Sequence, residues 1–448
     1  MTTVDNEATT TAAVRLPATA WPLENAVFSA AMVAQRLPWV GALTGDGVTR
    51  LLRAHPYRRT GSDQPVRVRT PFGTFLTPSA GAGDAEDLLV RAEEAGALGP
   101  ASGLTAGGRR YGLSPHATAA REPAVSAAEL AVPVAEEVDG VIAARRGDGT
   151  LEWHDWYGGM LRLSRRVVLG PAAAEDTLFS EVLTATTTAT GTRTHESRTA
   201  ALRRRLALYP AGQDGGSEDG LPGVAHLLAL VSEAAAGTSL QALALLAVGA
   251  AATPEEAVAE ALRRFPPVAA AVYPVRASFT WRDLAVESGT EILFAPGLLR
   301  DPEGPDHADA AAGPSGLCEA RSRCAATRFA ARVAEEIVRA VAAAARPVVV
   351  SPQLGADRLP SVLDPRTLLV ALLPLEDRPG LQASYGSPAQ AGAARLDRHA
   401  ERLAACAGHN GWNADESGER FRMVLLGHAE RCAQAAADVR RAAQRLAD

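Results

Sequence analysis

The chain has no lysine: all 45 of its basic residues are arginine, set against 51 acidic ones for a net charge of −6. That removes a Schiff-base lysine and a phosphate-loop lysine from consideration. Cysteine is scarce as well, with four in 448 residues, too few for a disulfide framework and consistent with free thiols or metal ligands. No apolar run reaches the roughly 18 residues that would suggest a membrane span, and "MTTVDNEATTTAAV" has no basic region ahead of an apolar core. The expectation is a cytoplasmic protein with residues 1–15 disordered. The charges are spread along the chain, with no basic face for nucleic acid and no polybasic anchor for lipid, so neither partner is expected. Asp-rich diphosphate motifs, a G-x-S-x-G elbow, a dinucleotide fingerprint and a Walker loop are also missing.

What is present is apolar and helical. Hydrophobic residues make up 47% of the chain, enough for one large core or two medium ones. Helical periodicity dominates from about Ala117 onward, whereas "VRVRTPFGTFLTP" alternates as a short hairpin or small sheet does. The polar "AGQDGGSEDG" reads as an exposed loop. The stretch after it, "LPGVAHLLALVSEAAAGTSLQALALLAVGAA", is apolar nearly all round and predicts a helix through the centre of a helical domain. A linker is expected at 376–392, followed by a helical hairpin extension at 393–448.

Several segments carry a resemblance when taken in order. Glu260 and Arg263 lie one helical turn apart and are followed by Phe265-Pro266-Pro267; "GTEILFAPGLLRDP" comes next. Upstream are "YGLSPHATAAREPAVSAAEL" and "SEAAAGTSLQALALL", and downstream "CAATRFAARVAEE" and "LDPRTLLVALLP". Together, over roughly residues 20–375, they resemble the cytochrome P-450 superfamily. The resemblance implies a mainly α fold of that kind, with a small N-terminal β-sheet region and the C-terminal extension added. It implies a domain over 16–375 with an apolar cavity, in a protein of bacterial specialised metabolism acting on a terpenoid or polyketide-like molecule.

The same resemblance assigns roles. Cys324, with Cys318 as runner-up, would be the thiolate ligand of haem b. Glu260 and Arg263 would brace the floor beneath it, and His116, Arg121 and Arg276 would face its propionates. Thr238 and Ser239 fall on the hydroxyl positions of the central helix. A working monooxygenase would draw electrons from a ferredoxin.

The departures from the family pattern lie in one pocket. With Cys324 as ligand, Leu317 replaces the loop Phe, Ala320 and Ala326 replace both glycines, and Ser322 replaces the basic residue. A glycine there lets backbone N–H groups approach the sulfur, which a Cβ obstructs. Gly237 holds the acid position of the central helix, and Ala120 stands where the first arginine of the upstream motif belongs. Two functions therefore follow. One is a haem-free protein that catalyses a non-redox step or serves as a partner protein; the other is a haem-thiolate monooxygenase or peroxygenase.

Each residue also has a plainer reading. Cys324 is read equally as a small buried hydrophobe, and Thr238 and Ser239 as helix hydroxyls bonded to a preceding carbonyl. In the extension, His399 with Cys406 and His428 with Cys432 share helix faces, so two antiparallel helices could gather a zinc site. The alternative is a hairpin core with solvated histidines. The hairpin would equally serve as a docking surface for a protein partner.

Overall fold

The computed structural model describes residues 15–20, 22, 25–26, 29, 65–71, 73–77, 82–105, 108–113, 127–144, 150–209, 220–268, 270–294, 317, 324, 326–357, 359–360, 362–373, 375, 383–408 and 416–447. The helices are α1 (Ala82–Glu94), α2 (Ala127–Ala144), α3 (Trp153–Leu169), α4 (Thr177–Thr187), α5 (Thr192–Leu206), α6 (Gly220–Ala229), α7 (Ala236–Ala247), α8 (Pro254–Arg264), α9 (Ala326–Ala344), α10 (Ala383–Ala407) and α11 (Glu416–Ala447). A π-turn, Leu230–Ala235, joins α6 to α7. Contrary to the sequence reading, the continuous stretch Gly223–Ala247 is long and apolar enough to cross a membrane, but most of it is buried inside the protein, as in a core helix. The strands are β1 (Ala18–Thr19), β2 (Val66–Thr70), β3 (Gly73–Thr77), β4 (Ser102–Thr105), β5 (Gly108–Tyr111), β6 (Thr150–Leu151), β7 (Ala270–Pro274), β8 (Phe279–Trp281), β9 (Leu284–Val286), β10 (Thr290–Phe294), β11 (Arg346–Ser351) and β12 (Leu369–Leu373). The mainly α character agrees with the sequence reading.

The chain forms two compact units. The first comprises Met1–Glu122, Leu178–Leu230 and Arg263–Thr327. Its centre is a seven-stranded sheet of order β1-β2-β3-β10-β7-β4-β5. The hairpin expected from alternation is there: β2 and β3 pair antiparallel, Val66 opposite Thr77 and Thr70 opposite Gly73. The sheet is larger than an N-terminal element alone, because β7 and β10 join it from far downstream, β10 running parallel to β3. Side chains alternate across a strand, and both faces are covered. Leu76, Ala271, Tyr273 and Ile292 pack on one face with Leu88 of α1 and Trp281; Phe75, Ala270, Val272 and Leu293 pack on the other. Trp281 Nε1 donates to Asp87 Oδ2 at 2.7 Å, tying β8 to α1.

The second unit comprises Pro123–Thr177, Val231–Leu262 and Arg328–Asp448. Helix α3 buries Trp156, Met160, Leu163 and Leu169 at helical spacing. It meets α2 at Gly159, where a Cβ would collide with Val141 Cγ2, so glycine is what admits that approach. Strands β11 and β12 pair antiparallel, and β6 completes a three-stranded sheet. Helix α10 begins at Ala383, inside the stretch read as a linker. Gly386 and Pro388 give that stretch its linker composition, yet the helix runs through them into the part that packs, where Gly392 lies against Val350 of β11 and Ala393 is fully buried.

Helix α9 shows how one amphipathic pattern carries a core. Phe329, Ala330, Val333, Ala334, Ile337, Val338 and Val341 are all buried completely, at the spacing of a helix stripe. On its other side Arg339 Nη2 donates to Glu255 Oε1 at 2.5 Å, and this hydrogen bond holds the Glu255 carboxyl below its ordinary value. Glu335 goes the other way: burial first, then repulsion from Glu255, raises its pKa. A carboxyl raised in the folded state keeps its proton after the unfolded chain has lost it, so stability falls as pH rises from the ordinary carboxylate range through the folded pKa. Glu335→Gln is therefore expected to match the parent in acid and exceed it at neutral pH. Urea titrations at the two pH values check this; an equal difference at both would sink it.

Candidate functional site

Two places gather the polar groups that the sequence singled out. The first is in the unit built on the seven-stranded sheet. Cys324 stands two residues ahead of α9, and its carbonyl accepts from the Thr327 amide at 3.2 Å and the Thr327 hydroxyl at 2.6 Å. The side chain is 3% exposed. Its sulfur meets His226 of α6, with Nε2 3.2 Å from Sγ, and His226 is itself 2% exposed. Either the S–H donates to a bare Nε2, or the proton has moved and Nε2–H donates to a thiolate; both forms keep the pair hydrogen-bonded. A cysteine paired with an imidazole is the arrangement that activates a thiol toward nucleophilic chemistry, although this one is closed off from solvent.

Several residues that the resemblance links to the haem are engaged or placed otherwise. Arg276 donates through Nη2 to Glu196 Oε1 at 2.7 Å, with both side chains about half exposed. Its Nε would lie 2.7 Å from a Cβ at Gly99, so the guanidinium lies across that glycine. Glu260 and Arg263 are half-buried one turn apart on α8, which ends at Arg264, just before the expected Pro-Pro stop. His116, Arg121 and Cys318 lie outside the described residues, as does most of the stretch before Cys324.

The second place is α7, in the other unit. Residues Ala236 through Leu245 are all buried. Trp156 Nε1 donates to the Ala236 carbonyl at 2.8 Å, and Ser239 Oγ donates to the same oxygen at 3.0 Å. Ser239 is thus the helix hydroxyl bonded back along its own chain. Thr238 is not, for its Oγ1 has no hydrogen-bond partner among the described residues. One turn on, Gln241 Nε2 donates to the Leu363 carbonyl at 2.6 Å.

The hairpin does not gather the four expected zinc ligands. His399, Cys406 and His428 face solvent and Cys432 is half-exposed, while the buried positions are alanines: Ala393, Ala407, Ala429 and Ala436. No group of three or more His, Cys, Asp or Glu residues suited to a metal occurs among the described residues. The i,i+4 and i,i+7 spacings correctly place each pair on one helix face, but the small alanines take the seam because they let two helices approach closely.

Sequence reasoning passed over His226 and Gln241. The signal was available: both are polar interruptions in a stretch that is otherwise apolar all round, and a polar group there must find a partner inside the protein.

No protein-family model matches the chain, and no curated protein matches it. Among solved structures it is similar to CYP108D1 from Novosphingobium aromaticivorans, at 12% identity and a TM-score of 0.51, over 77% of this chain and 98% of that one. It is also similar to CYP175A1 from Thermus thermophilus, at 15% identity and a TM-score of 0.45, over 76% of this chain and 98% of that one. A six-coordinate cytochrome P-450 from a second strain of Thermus thermophilus gives 16% identity and a TM-score of 0.45, over 72% of this chain and 98% of that one.

Proposed function

We propose that this chain, which has the cytochrome P-450 fold, is a haem-free protein that binds an apolar small molecule for a non-redox step. The observation that supports this is the Cys324–His226 contact of 3.2 Å. A thiolate that ligates haem iron must offer its sulfur to the porphyrin; here an imidazole from α6 sits at hydrogen-bond distance from that sulfur, in a setting almost fully closed. The engaged Arg276 adds to it, since a propionate left without a cation in a partly buried site is costly. The described residues therefore do not fit a haem–thiolate site, and we derive no step through one. That the ligand is apolar is what the resemblance of the sequence to the cytochrome P-450 superfamily implies.

The competing reading, a ferredoxin-driven haem-thiolate monooxygenase, draws on the unpartnered Thr238 hydroxyl. Absorption spectra decide between them. Protein purified from haem-supplemented cells, reduced with dithionite under carbon monoxide, is expected to show no Soret band. A Soret band lost in Cys324→Ala and kept in Cys318→Ala would replace this reading with the monooxygenase.

A further inference from the structure

Helices α10 and α11 belong to the second unit and pack on each other through buried alanines. The segment 408–415 that joins them reaches about 30 Å at most, short of the roughly 37 Å length of α10, so α11 runs back antiparallel. Arg440 Nη2 donates to Asp397 Oδ2, and this contact sets the register. Counting along both helices from it, Ala407 at the end of α10 falls level with about residue 425–430 of α11. The first two to three turns of α11 therefore run on past the end of its neighbour.

Large apolar side chains collect on that overhang. Phe421, Met423, Val424 and Leu426 are 45%, 57%, 53% and 37% exposed, whereas beyond Gly427 the solvent side turns to Glu430, Arg431, Gln434 and Asp438. Single exposed apolar residues are ordinary; four within six positions mark an interaction surface. At about 100° per residue, Arg420, Met423, Gly427, Glu430 and Gln434 fall in one stripe opposite the alanine seam, with Val424 and Leu426 along its two borders.

This stripe is complementary to itself. When two such helices meet antiparallel with a twofold axis beside residue 425, position 420 of each lies opposite 430 of the other, and 423 opposite 427. Arg420 then faces Glu430 twice over, both being exposed in the single chain, and Val424 and Leu426 each meet their own counterparts. Gly427 fits the same pairing. Glycine inside a helix costs stability relative to alanine, and its own chain does not require one here: beyond the adjoining helix backbone, an added Cβ would come within 4 Å only of Arg431 Nη1, at 3.8 Å. The hollow it leaves in the stripe accepts Met423 of the second copy, a side chain that adapts to such gaps. We propose that this face of α11 is the seat of a homodimer, in which two copies of the chain pair their overhanging helix segments antiparallel. Such pairing is independent of whether the fold binds haem.

Sedimentation velocity of the full-length protein from about 1 to 500 µM tests it. The expected result is a monomer–dimer equilibrium with a Kd of about 10–100 µM, as suits a small interface. Arg420→Glu and, separately, Glu430→Arg should each weaken it about tenfold, because every dimer then holds two like-charged pairs. The double variant Arg420→Glu/Glu430→Arg should regain the parent's affinity, and so should an equal mixture of the two single variants, a result that requires position 420 of one copy to face 430 of the other. Val424→Glu sets two carboxylates together beside the axis and should leave no dimer, with a Tm close to the parent's because the site is exposed.

A monomer throughout the range overturns the inference, and pelleting of that monomer with phosphatidylglycerol vesicles would give the face to a lipid surface instead. A dimer indifferent to Val424→Glu, or one whose affinity the charge reversals do not first weaken and then restore, pairs other residues; either overturns it.

Discussion

Replacing His226 with alanine is expected to cost about 3 kcal/mol of unfolding free energy, because it removes a buried ring and leaves the Cys324 sulfur beside a cavity. His226 and Cys324 are 2% and 3% exposed, so water cannot readily replace the lost contact. Cys324→Ala removes a smaller side chain and should cost about 1–2 kcal/mol. The informative quantity is the double variant. If the 3.2 Å contact is an energetic bond, the two losses will fall short of adding, with a coupling of about 1–2 kcal/mol. Urea titrations of the parent, both singles and the double supply the cycle. Strict additivity would mean that the sulfur and the imidazole are neighbours without being partners, and the case against a haem ligand would lose its main support.

Trp156→Ala should be more damaging still, at about 3–5 kcal/mol. The indole is fully buried and does two jobs: it fills the space beside α3, and its Nε1 holds the Ala236 carbonyl at 2.8 Å. Trp156→Phe separates them. It keeps most of the volume and loses the hydrogen bond, so about 1–2 kcal/mol is expected. Thermal unfolding followed by circular dichroism ranks the two variants. Equal losses would mean that the hydrogen bond, rather than the packing, anchors α3 to the start of α7.

Much of the fold was legible because it is carried by pattern. The stripe of α9, the alternation of β2 and β3 and the proline stop after α8 are each written in adjacent residues. The partnerships were not. His226 and Cys324 are 98 positions apart and Gln241 and Leu363 are 122 apart; periodicity cannot say which distant atoms will meet. Thr238 and Ser239 looked alike in sequence, as neighbouring hydroxyls on one helix. What divides them is how each hydroxyl is turned on its own Cα–Cβ bond, Ser239 Oγ reaching back to the Ala236 carbonyl and Thr238 Oγ1 meeting no partner among the described residues. The first helix of the hairpin starts at Ala383, ahead of the expected 393, because Gly386 and Pro388 describe a local preference that does not by itself end a helix.

Helix α10 lies on β11, an edge strand of its sheet, and Arg398 of the same helix reaches back to Glu152 Oε1 at 2.6 Å. During synthesis β11 leaves the ribosome before α10 exists. Through that interval the side of the "RPVVVS" strand that carries Val350 lacks the cover of α10, and its apolar surface is open to another nascent chain. A transcript interrupted between β12 and α10 would therefore yield a product that aggregates, and its harm to the cell would lie in what it sticks to as much as in what it fails to do.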